Sequence, residues 1–252
     1  LSTENGVVVG AGKYEHGDTI TVSAIPNDGY HFVRWSDGNR NAEREIVVKS
    51  NLNLTAEIAI NVYNVTLTAE NGEVTGAGKY NHGEIANISV TPNEGYHFVR
   101  WSDDVIEASR SFKVVSDVSL MAKCAINRHS VTLSAENGQV KGAGEYNYGT
   151  TVTLTAVPNE GYHFVRWSDG DTNIVRDVTL VDDLTLSAEF AINTYNVVLT
   201  AENGVVSGAG EYEHGTEITI AVTPDSHYHL VRWSDDNTES SRKIKVTSDL
   251  TL

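Results

Sequence analysis

Each of four similar segments of the chain carries a histidine, a serine and an aspartate, which are the residue types of a hydrolytic triad. In the first segment His31 precedes Ser36 by five residues and Asp37 by six. A triad requires the nucleophile, the base and the orienting acid to be in contact. These residues belong to one extended strand, in which five residues span roughly 16 Å. We therefore predict that the chain has no catalytic residues and is not an enzyme.

Acidic turns directly after these segments could bind calcium, which prefers hard oxygen ligands. Aspartate and glycine are also the usual residues of tight turns, and both interpretations remain open. The candidate calcium ligands are Asp37, Asp103, Asp169, Asp171 and Asp235. A second histidine series is interrupted by Tyr148 in the third segment, which argues against a zinc site common to all four. We predict no cofactor.

A tyrosine and a tryptophan lie five residues apart in each segment. Exposed aromatic side chains could stack on a sugar or bind a protein. The same side chains could instead form the core that so small a module needs. The candidate ligand-binding residues are Tyr30, Trp35, Tyr96, Trp101, Tyr162, Trp167, Tyr228 and Trp233.

The four segments belong to a repeat of 66 residues that runs through the chain without an insertion. A fixed period defines the structural unit. Leu1 aligns with Leu67, and Leu252 aligns with Leu186, so we expect the first module to be truncated at its start and the fourth at its end. The predicted modules are residues 1–60, 61–126, 127–192 and 193–252.

The composition is that of a globular β protein and limits the partners of the chain. Hydrophobic residues make up 40% of the 252 residues, and the formal net charge is −16. Nucleic acids and anionic membranes attract basic surfaces, so we predict no nucleic-acid binding. The sequence also has no transmembrane run, so we predict no direct membrane insertion. Cys124 is the single cysteine, and it is interpreted as an apolar core residue.

Alternating apolar and polar residues in the third repeat have the period of strands with one buried face. No segment has a helical period, so each module is predicted to be mainly β with five to six strands. The apolar faces need a cover, which favours a small sandwich or half-barrel. Strands are predicted at residues 131–135, around Val140 and Tyr146, at 151–156, at 162–169, around Val178 and Leu180, and at 184–190.

Three details of the third repeat give specific expectations. The dipeptide Asn137–Gly138 predicts a tight hairpin between the first two strands. Gly142 and Gly144 predict a bulge or a close backbone approach within the second strand. Strict alternation in the fourth strand places Phe164 and Trp167 on opposite faces. Both faces are then partly buried, which we favour, unless a bulge redirects Trp167.

The connection between consecutive repeats contains no flexible spacer. Between Leu186 and Leu199 the sequence lacks Gly, Pro and any Ser-rich stretch. We therefore predict that the modules are stiffly coupled and form an elongated array.

Residues 151–169, followed by the alternating strand at 185–190, resemble the internalin-type B-repeats, and in particular their divergent branch in surface proteins of Listeria and Bacteroides. The resemblance covers the whole chain four times. It implies a β-grasp-like module used in stalks of adhesins, with no catalytic residues to transfer. Because the sequence has no helix to cross the sheet, we expect a loop in that place.

These observations predict a non-catalytic stalk or spacer of a bacterial protein that is secreted or lies at the cell surface and contributes to adhesion. The chain is expected to be a monomeric part of a larger protein. The alternative is a multivalent array that binds host protein or glycan through many weak sites. The loop after the fourth strand differs most between repeats, so such binding is expected there.

Overall fold

The computed structural model describes all 252 residues, Leu1–Leu252. The chain contains only β-strands and no helix, which confirms the prediction of tandem, mainly β modules. It divides into two compact units, Leu1–Ile126 and Asn127–Leu252.

The strands recur in the same order along the chain, with seven in the second and third repeats and six in the first and fourth. The first repeat contains β1 (Ser2–Thr3), β2 (Gly6–Val9), β3 (Thr19–Pro26), β4 (Tyr30–Trp35), β5 (Glu43–Val47) and β6 (Thr55–Ile60). The second contains β7 (Val62–Glu70), β8 (Gly72–Thr75), β9 (Gly78–Asn81), β10 (Ile85–Pro92), β11 (Tyr96–Trp101), β12 (Ser109–Lys113) and β13 (Val118–Ile126). The third contains β14 (Arg128–Ala135), β15 (Gly138–Lys141), β16 (Gly144–Asn147), β17 (Thr151–Pro158), β18 (Tyr162–Trp167), β19 (Val175–Thr179) and β20 (Leu184–Ile192). The fourth contains β21 (Thr194–Val198), β22 (Gly204–Ser207), β23 (Gly210–Glu213), β24 (Glu217–Pro224), β25 (Ser241–Lys245) and β26 (Leu250–Thr251).

The third repeat folds as two sheets that face each other. One sheet has the strand order β16-β14-β20-β18, and the other has the order β15-β17-β19. The first and last strands, β14 and β20, are parallel neighbours, and the other pairs are antiparallel. Buried side chains from both sheets form one cluster around Trp167, so the repeat is a small sandwich. The resemblance predicted a loop over the larger sheet, but the three-stranded sheet occupies that place.

The predicted hairpin at Asn137–Gly138 is wrong, because the first two strands belong to different sheets. β14 pairs with β16 and β20, whereas β15 pairs with β17. Asn137 has a φ of 62°, but Gly138 does not have a positive φ, and a two-residue type I′ turn requires one at both positions. The chain therefore passes from one sheet to the other at this dipeptide.

The predicted second strand is two strands, which raises the count to seven in a complete repeat. β15 and β16 lie in different sheets, and the chain crosses between them at residues 142–143. The predicted close approach is confirmed at Gly142, which has a φ of 107° and whose added Cβ would lie 2.7 Å from the carbonyl oxygen of Thr153. Glycine is required at this position because both its φ and the space exclude a side chain.

Our favoured interpretation of the fourth strand is wrong, and the alternative is confirmed. The register between β18 and β20 shifts between Phe164 and Arg166, which is a β-bulge. The extra residue turns Trp167 to the same side as Phe164, and their ring centroids lie 5.7 Å apart. Trp167 is 0% exposed, so the bulge delivers the largest side chain of the module into its core.

The fourth repeat has no strand at residues 228–233, the equivalent of β18. In the third repeat β18 pairs with residues 188–192 of β20. In the fourth repeat residues 228–233 form no such ladder.

Candidate functional site

The tryptophan of each repeat is buried and fixed by one hydrogen bond. Trp35, Trp101 and Trp167 are 0% exposed, and Trp233 is 5% exposed. Each indole Nε1 donates to the backbone carbonyl oxygen six residues later, at distances between 2.8 and 3.0 Å. The acceptors are Asn41, Glu107, Asn173 and Glu239. The variable loop is thus anchored on the indole by its backbone, which allows its side chains to differ between repeats.

In every repeat an arginine from the fifth strand reaches the acidic turn, and in the first two repeats it also lies over the tryptophan ring. In the first repeat the guanidinium carbon of Arg44 lies 5.7 Å from the ring centroid of Trp35, and Nη2 donates to the Asp37 carboxylate at 2.5 Å. The arginine side chains are 12–17% exposed. The equivalent ion pairs are Arg110–Asp103, Arg176–Asp169 and Arg242–Asp235. We call each set of Trp, Arg and Asp the Trp-Arg-Asp cluster.

The cluster changes the acidity of its carboxylates. The hydrogen bond from Arg44 lowers the pKa of Asp37 below its ordinary value, and Arg242 does the same to the pKa of Asp235. These carboxylates are therefore held in their charged form by a cation that the protein itself supplies.

The candidate calcium ligands have protein partners in the structure. Asp37, Asp103, Asp169 and Asp235 accept hydrogen bonds from arginine. Asp171 lies 3.4 Å from Arg176 Nε and accepts a hydrogen bond from the backbone N–H of Asn173 at 2.7 Å. No group of three or more His, Cys, Asp or Glu side chains is arranged to hold a metal ion. The geometry therefore accounts for these residues by ion pairing within the turn.

The candidate aromatic binding residues are divided between the core and the edge of each module. The four tryptophans are core residues, so they cannot stack on a ligand at the surface. Of the tyrosines, Tyr30, Tyr96 and Tyr162 are half-buried, and Tyr228 is 57% exposed. The tryptophans thus follow the alternative in which the aromatic side chains form the core, and in the first three repeats a β-bulge turns the indole inward.

The residues of the triad motif are not brought together. The Nδ1 atom of His31 lies 2.8 Å from Asn61 Oδ1, whereas Asp37 is bound by Arg44. Ser36 Oγ accepts a hydrogen bond from the backbone N–H of Thr55. Each residue is thus used in a separate structural contact.

An asparagine connects consecutive repeats within each compact unit. In the first unit the backbone N–H of Asn61 donates to Gly29 O, and the N–H of His82 donates to Asn61 O, both at 2.8 Å. The side chain of Asn61 contacts His31 and the hydroxyl of Tyr63. We call this set the junction.

The second unit repeats the same junction. Asn193 takes the place of Asn61 and makes the same two backbone hydrogen bonds, to Gly161 and from His214, both at 2.8 Å. Its side chain contacts His163 at 2.8 Å and Tyr195 at 3.5 Å. The sequence predicted no flexible spacer between repeats. In both units the connection is instead held by hydrogen bonds of the backbone and of side chains.

A histidine ring of the later repeat packs on a glycine of the earlier one. A Cβ added at Gly29 would lie 2.2 Å from the ring of His82, and one added at Gly161 would lie 2.3 Å from the ring of His214. Because these glycines also have φ near +80°, any side chain there would be both strained and in collision.

Sequence reasoning missed the arginine of the Trp-Arg-Asp cluster. Its signal was present, since an arginine recurs at Arg44, Arg110, Arg176 and Arg242 with the 66-residue period. The neighbouring positions vary, which makes this recurrence harder to notice. Only the folded sheet shows why the arginine is retained, because it lies seven residues beyond its aspartate along the chain.

The comparison with known families identifies the module. The model of the divergent InlB B-repeat domain matches four times, at residues 1–61, 63–127, 129–194 and 195–252. The chain belongs to this family. The resemblance seen in the sequence and the four B-repeat copies are thereby confirmed.

Curated relatives of this B-repeat chain occur in Evansella cellulosilytica. One, named "Putative membrane protein", is 27% identical over 97% of this chain, and a "Putative Gly-rich membrane protein" is 25% identical over 84%. The chain spans 40% and 27% of the length of these relatives. Among solved structures, the Bacillus anthracis TIE protein has a TM-score of 0.41 at 8% identity and covers 94% of this chain and 60% of its own. The B-repeats themselves contain no helix that could cross a membrane.

Proposed function

We propose that this chain is a structural, non-catalytic spacer of a protein of the bacterial cell envelope. In this role the repeats hold another part of that protein away from the cell and so contribute to adhesion. Membership of the B-repeat family and the names of the two Evansella relatives support a location at the cell surface. The net charge of −16 favours solubility and mutual repulsion in that setting.

The junction is the observation that carries this proposal. A spacer transmits a fixed direction from one repeat to the next, which needs contacts between repeats rather than a flexible linker. Asn61 and Asn193 provide two backbone hydrogen bonds each, and the rings of His82 and His214 pack closely on Gly29 and Gly161. The side chains common to all repeats also serve the fold, since the tryptophans are buried and the cluster arginines are paired.

A distance measurement within the first unit tests the spacer. Spin labels are attached at Lys13→Cys and Lys79→Cys, which are exposed and occupy the same position in consecutive repeats, in a Cys124→Ser background. Double electron–electron resonance should give a single narrow distance distribution. A broad distribution would mean that the junction is flexible and would overturn the spacer proposal.

The second candidate is multivalent binding of a host protein or glycan through the variable loops. Ile106 in the loop of the second repeat is 72% exposed, so its apolar side chain is available for contact with a partner. A screen of glycans and extracellular matrix proteins against the immobilised chain at high density tests this candidate, and Ile106→Ser should weaken any binding found. A screen that finds no ligand would contradict this candidate.

A further inference from the structure

The two histidines that pack on a glycine of the preceding repeat, His82 and His214, are poorly suited to carry a charge. We call them the wedge histidines. His82 is 18% exposed, and its ring lies between Gly29 and the ring of Tyr63, whose centroid is 6.0 Å away. Its Nδ1 atom is buried and has no hydrogen-bond partner, and the same is true of His214.

Protonation of either wedge histidine would place a proton on its buried Nδ1 atom, where no hydrogen-bond acceptor lies. A neutral imidazole needs only one donor, whereas an imidazolium has two N–H groups that both seek acceptors. A buried charged donor without a partner costs far more than an unused lone pair. Histidine is also the side chain whose charge changes between about pH 5 and 8.

The charged groups around His82 offer little compensation. Its Nε2 atom lies 3.7 Å from the carboxylate of Asp28, but that side chain is fully exposed, so solvent screens the attraction. Lys113, of like charge, lies beside the adjacent Gly83. Other titratable groups near the junction are Tyr63, His31, which bonds to Asn61, and Glu84, which bonds to Asn81.

The surroundings of His214 have the same character. Glu160 stands at the sequence position of Asp28, and Lys245 is the residue nearest the adjacent Gly215. Tyr195 faces the ring with centroids 5.9 Å apart, and His163 bonds to the shared Asn193. Two junctions therefore present the same buried, unpartnered Nδ1 atom.

The third repeat supports a specific role for this aromatic pair. There the two residue types are exchanged, because His129 stands at the position of Tyr63 and Tyr148 at the position of His82. Their ring centroids are 6.1 Å apart, and the Nε2 atom of His129 is again buried without a partner. The pair thus keeps one imidazole and one phenol in all three repeats, whichever strand carries each.

We propose that the junction is an acid-sensitive joint, in which protonation of the wedge histidines releases one repeat from the next. The charged ring is disfavoured when docked and hydrated when released. Docking is therefore expected to weaken when the solution is acidified. This acid sensitivity is a property of the junction and does not depend on the proposed spacer function.

Amide exchange of the full chain, measured by NMR at about pH 7.5 and about pH 5, tests the joint. Exchange rates are converted to protection factors, which removes the intrinsic effect of pH. The amides of Asn61 and Asn193, which donate across each junction to the carbonyl oxygens of Gly29 and Gly161, should lose about tenfold protection at the lower pH, equivalent to 1.36 kcal/mol. The core amides of Val90 and Val222 should not change.

Matched variants assign the effect to the wedge histidines. His82→Tyr with His214→Tyr should abolish the loss, since tyrosine already occupies this position in the third repeat, and His82→Gln with His214→Gln provides a second non-titrating pair. His16→Tyr is the control, because His16 holds the equivalent position but is exposed. Unchanged or increased protection at low pH in the natural chain would overturn the proposal, as would a loss that survives in both double variants.

Discussion

At the scale of single residues, each repeat is organised around one tryptophan. The indole is enclosed by the core and its Nε1 holds the variable loop, and in the first and second repeats the cluster arginine lies over the ring. The arginine in turn neutralises the aspartate that begins the loop. One buried side chain thereby links the core, the fifth strand and the loop, which explains why this set recurs in all four repeats.

The third repeat shows how the Trp-Arg-Asp cluster of the other repeats could be made more stable. In the first, second and fourth repeats the arginine Nε is buried without a partner, whereas Asp171 lies 3.4 Å from Arg176 Nε in the third. The first repeat has Asn39 at that position, and its Oδ1 accepts the N–H of Asn41 just as Asp171 accepts that of Asn173. We expect Asn39→Asp to keep this hydrogen bond and to stabilise the repeat by about 0.2–1 kcal/mol, the usual contribution of one exposed ion pair.

Denaturant unfolding of the full chain measures this gain. Asn39→Ala serves as the control, since it removes the turn hydrogen bond without supplying an acceptor and should destabilise the repeat. Equal stability of Asn39→Asp and the natural chain would contradict the assigned role of Asp171.

The lowered pKa of Asp37 predicts how stability depends on pH. Its folded-state pKa lies below its ordinary value because Arg44 stabilises the carboxylate, so this contribution is complete above the ordinary carboxyl pKa and is lost as the pH falls below it. We expect Asp37→Asn to reduce the slope of melting temperature against pH between about pH 5 and 2. Asp182→Asn, at an exposed position outside any ion pair, should leave the slope unchanged.

At the scale of strands and turns, glycine and asparagine decide where the chain changes sheet. Asn137 and Gly142 lie at the two crossings of the third repeat, and Gly161 lies at the turn that meets the next repeat. A positive φ favours glycine at these turns but does not exclude every other residue. At Gly161 the ring of His214 also leaves no room for a side chain, so glycine is required there.

Two glycines of the third repeat allow the cost of backbone strain to be measured apart from the cost of a steric clash. Gly161 has a φ of 82° and Gly149 one of 77°, but an added Cβ would meet His214 at the first and nothing within 4 Å at the second. Both alanine variants carry the left-handed strain of roughly 1–2 kcal/mol. We expect Gly161→Ala to cost a further 1–3 kcal/mol or so through overpacking, and to lower amide protection at Asn193 and His214.

Thermal unfolding and amide exchange of the two variants, compared side by side, check this difference. Equal effects of Gly149→Ala and Gly161→Ala would show that the contact of His214 with Gly161 does not stabilise the junction.

At the scale of the whole molecule, small cores are joined into larger cooperative units. Each complete repeat is near the lower size limit for independent folding without disulfides or metals, so contacts between repeats add a needed share of stability. The junction supplies such contacts inside each unit. In repeat proteins of this kind, stability is approximately the sum of intrinsic terms and nearest-neighbour terms.

Removal of the first repeat tests this coupling. Residues 61–126 contain all seven strands of the second repeat and should fold alone, but they lose the Gly29 and His31 contacts of the junction. We expect a melting temperature lower than that of residues 1–126 by roughly 4–8 °C for each kcal/mol of lost coupling. Calorimetry of the two fragments measures the shift, and identical midpoints would indicate independent modules.

The sequence by itself determined the family, the four-fold repeat, the β content and most strand positions, because period and alternation are local properties of the chain. Most of β15 to β20 follows from such patterns. Tertiary structure decided which strands share a sheet, since Asn137–Gly138 fits a hairpin and a crossing equally well until the partners of β14 and β15 are known. It also decided the direction of Trp167, because a one-residue bulge reverses every side chain beyond it.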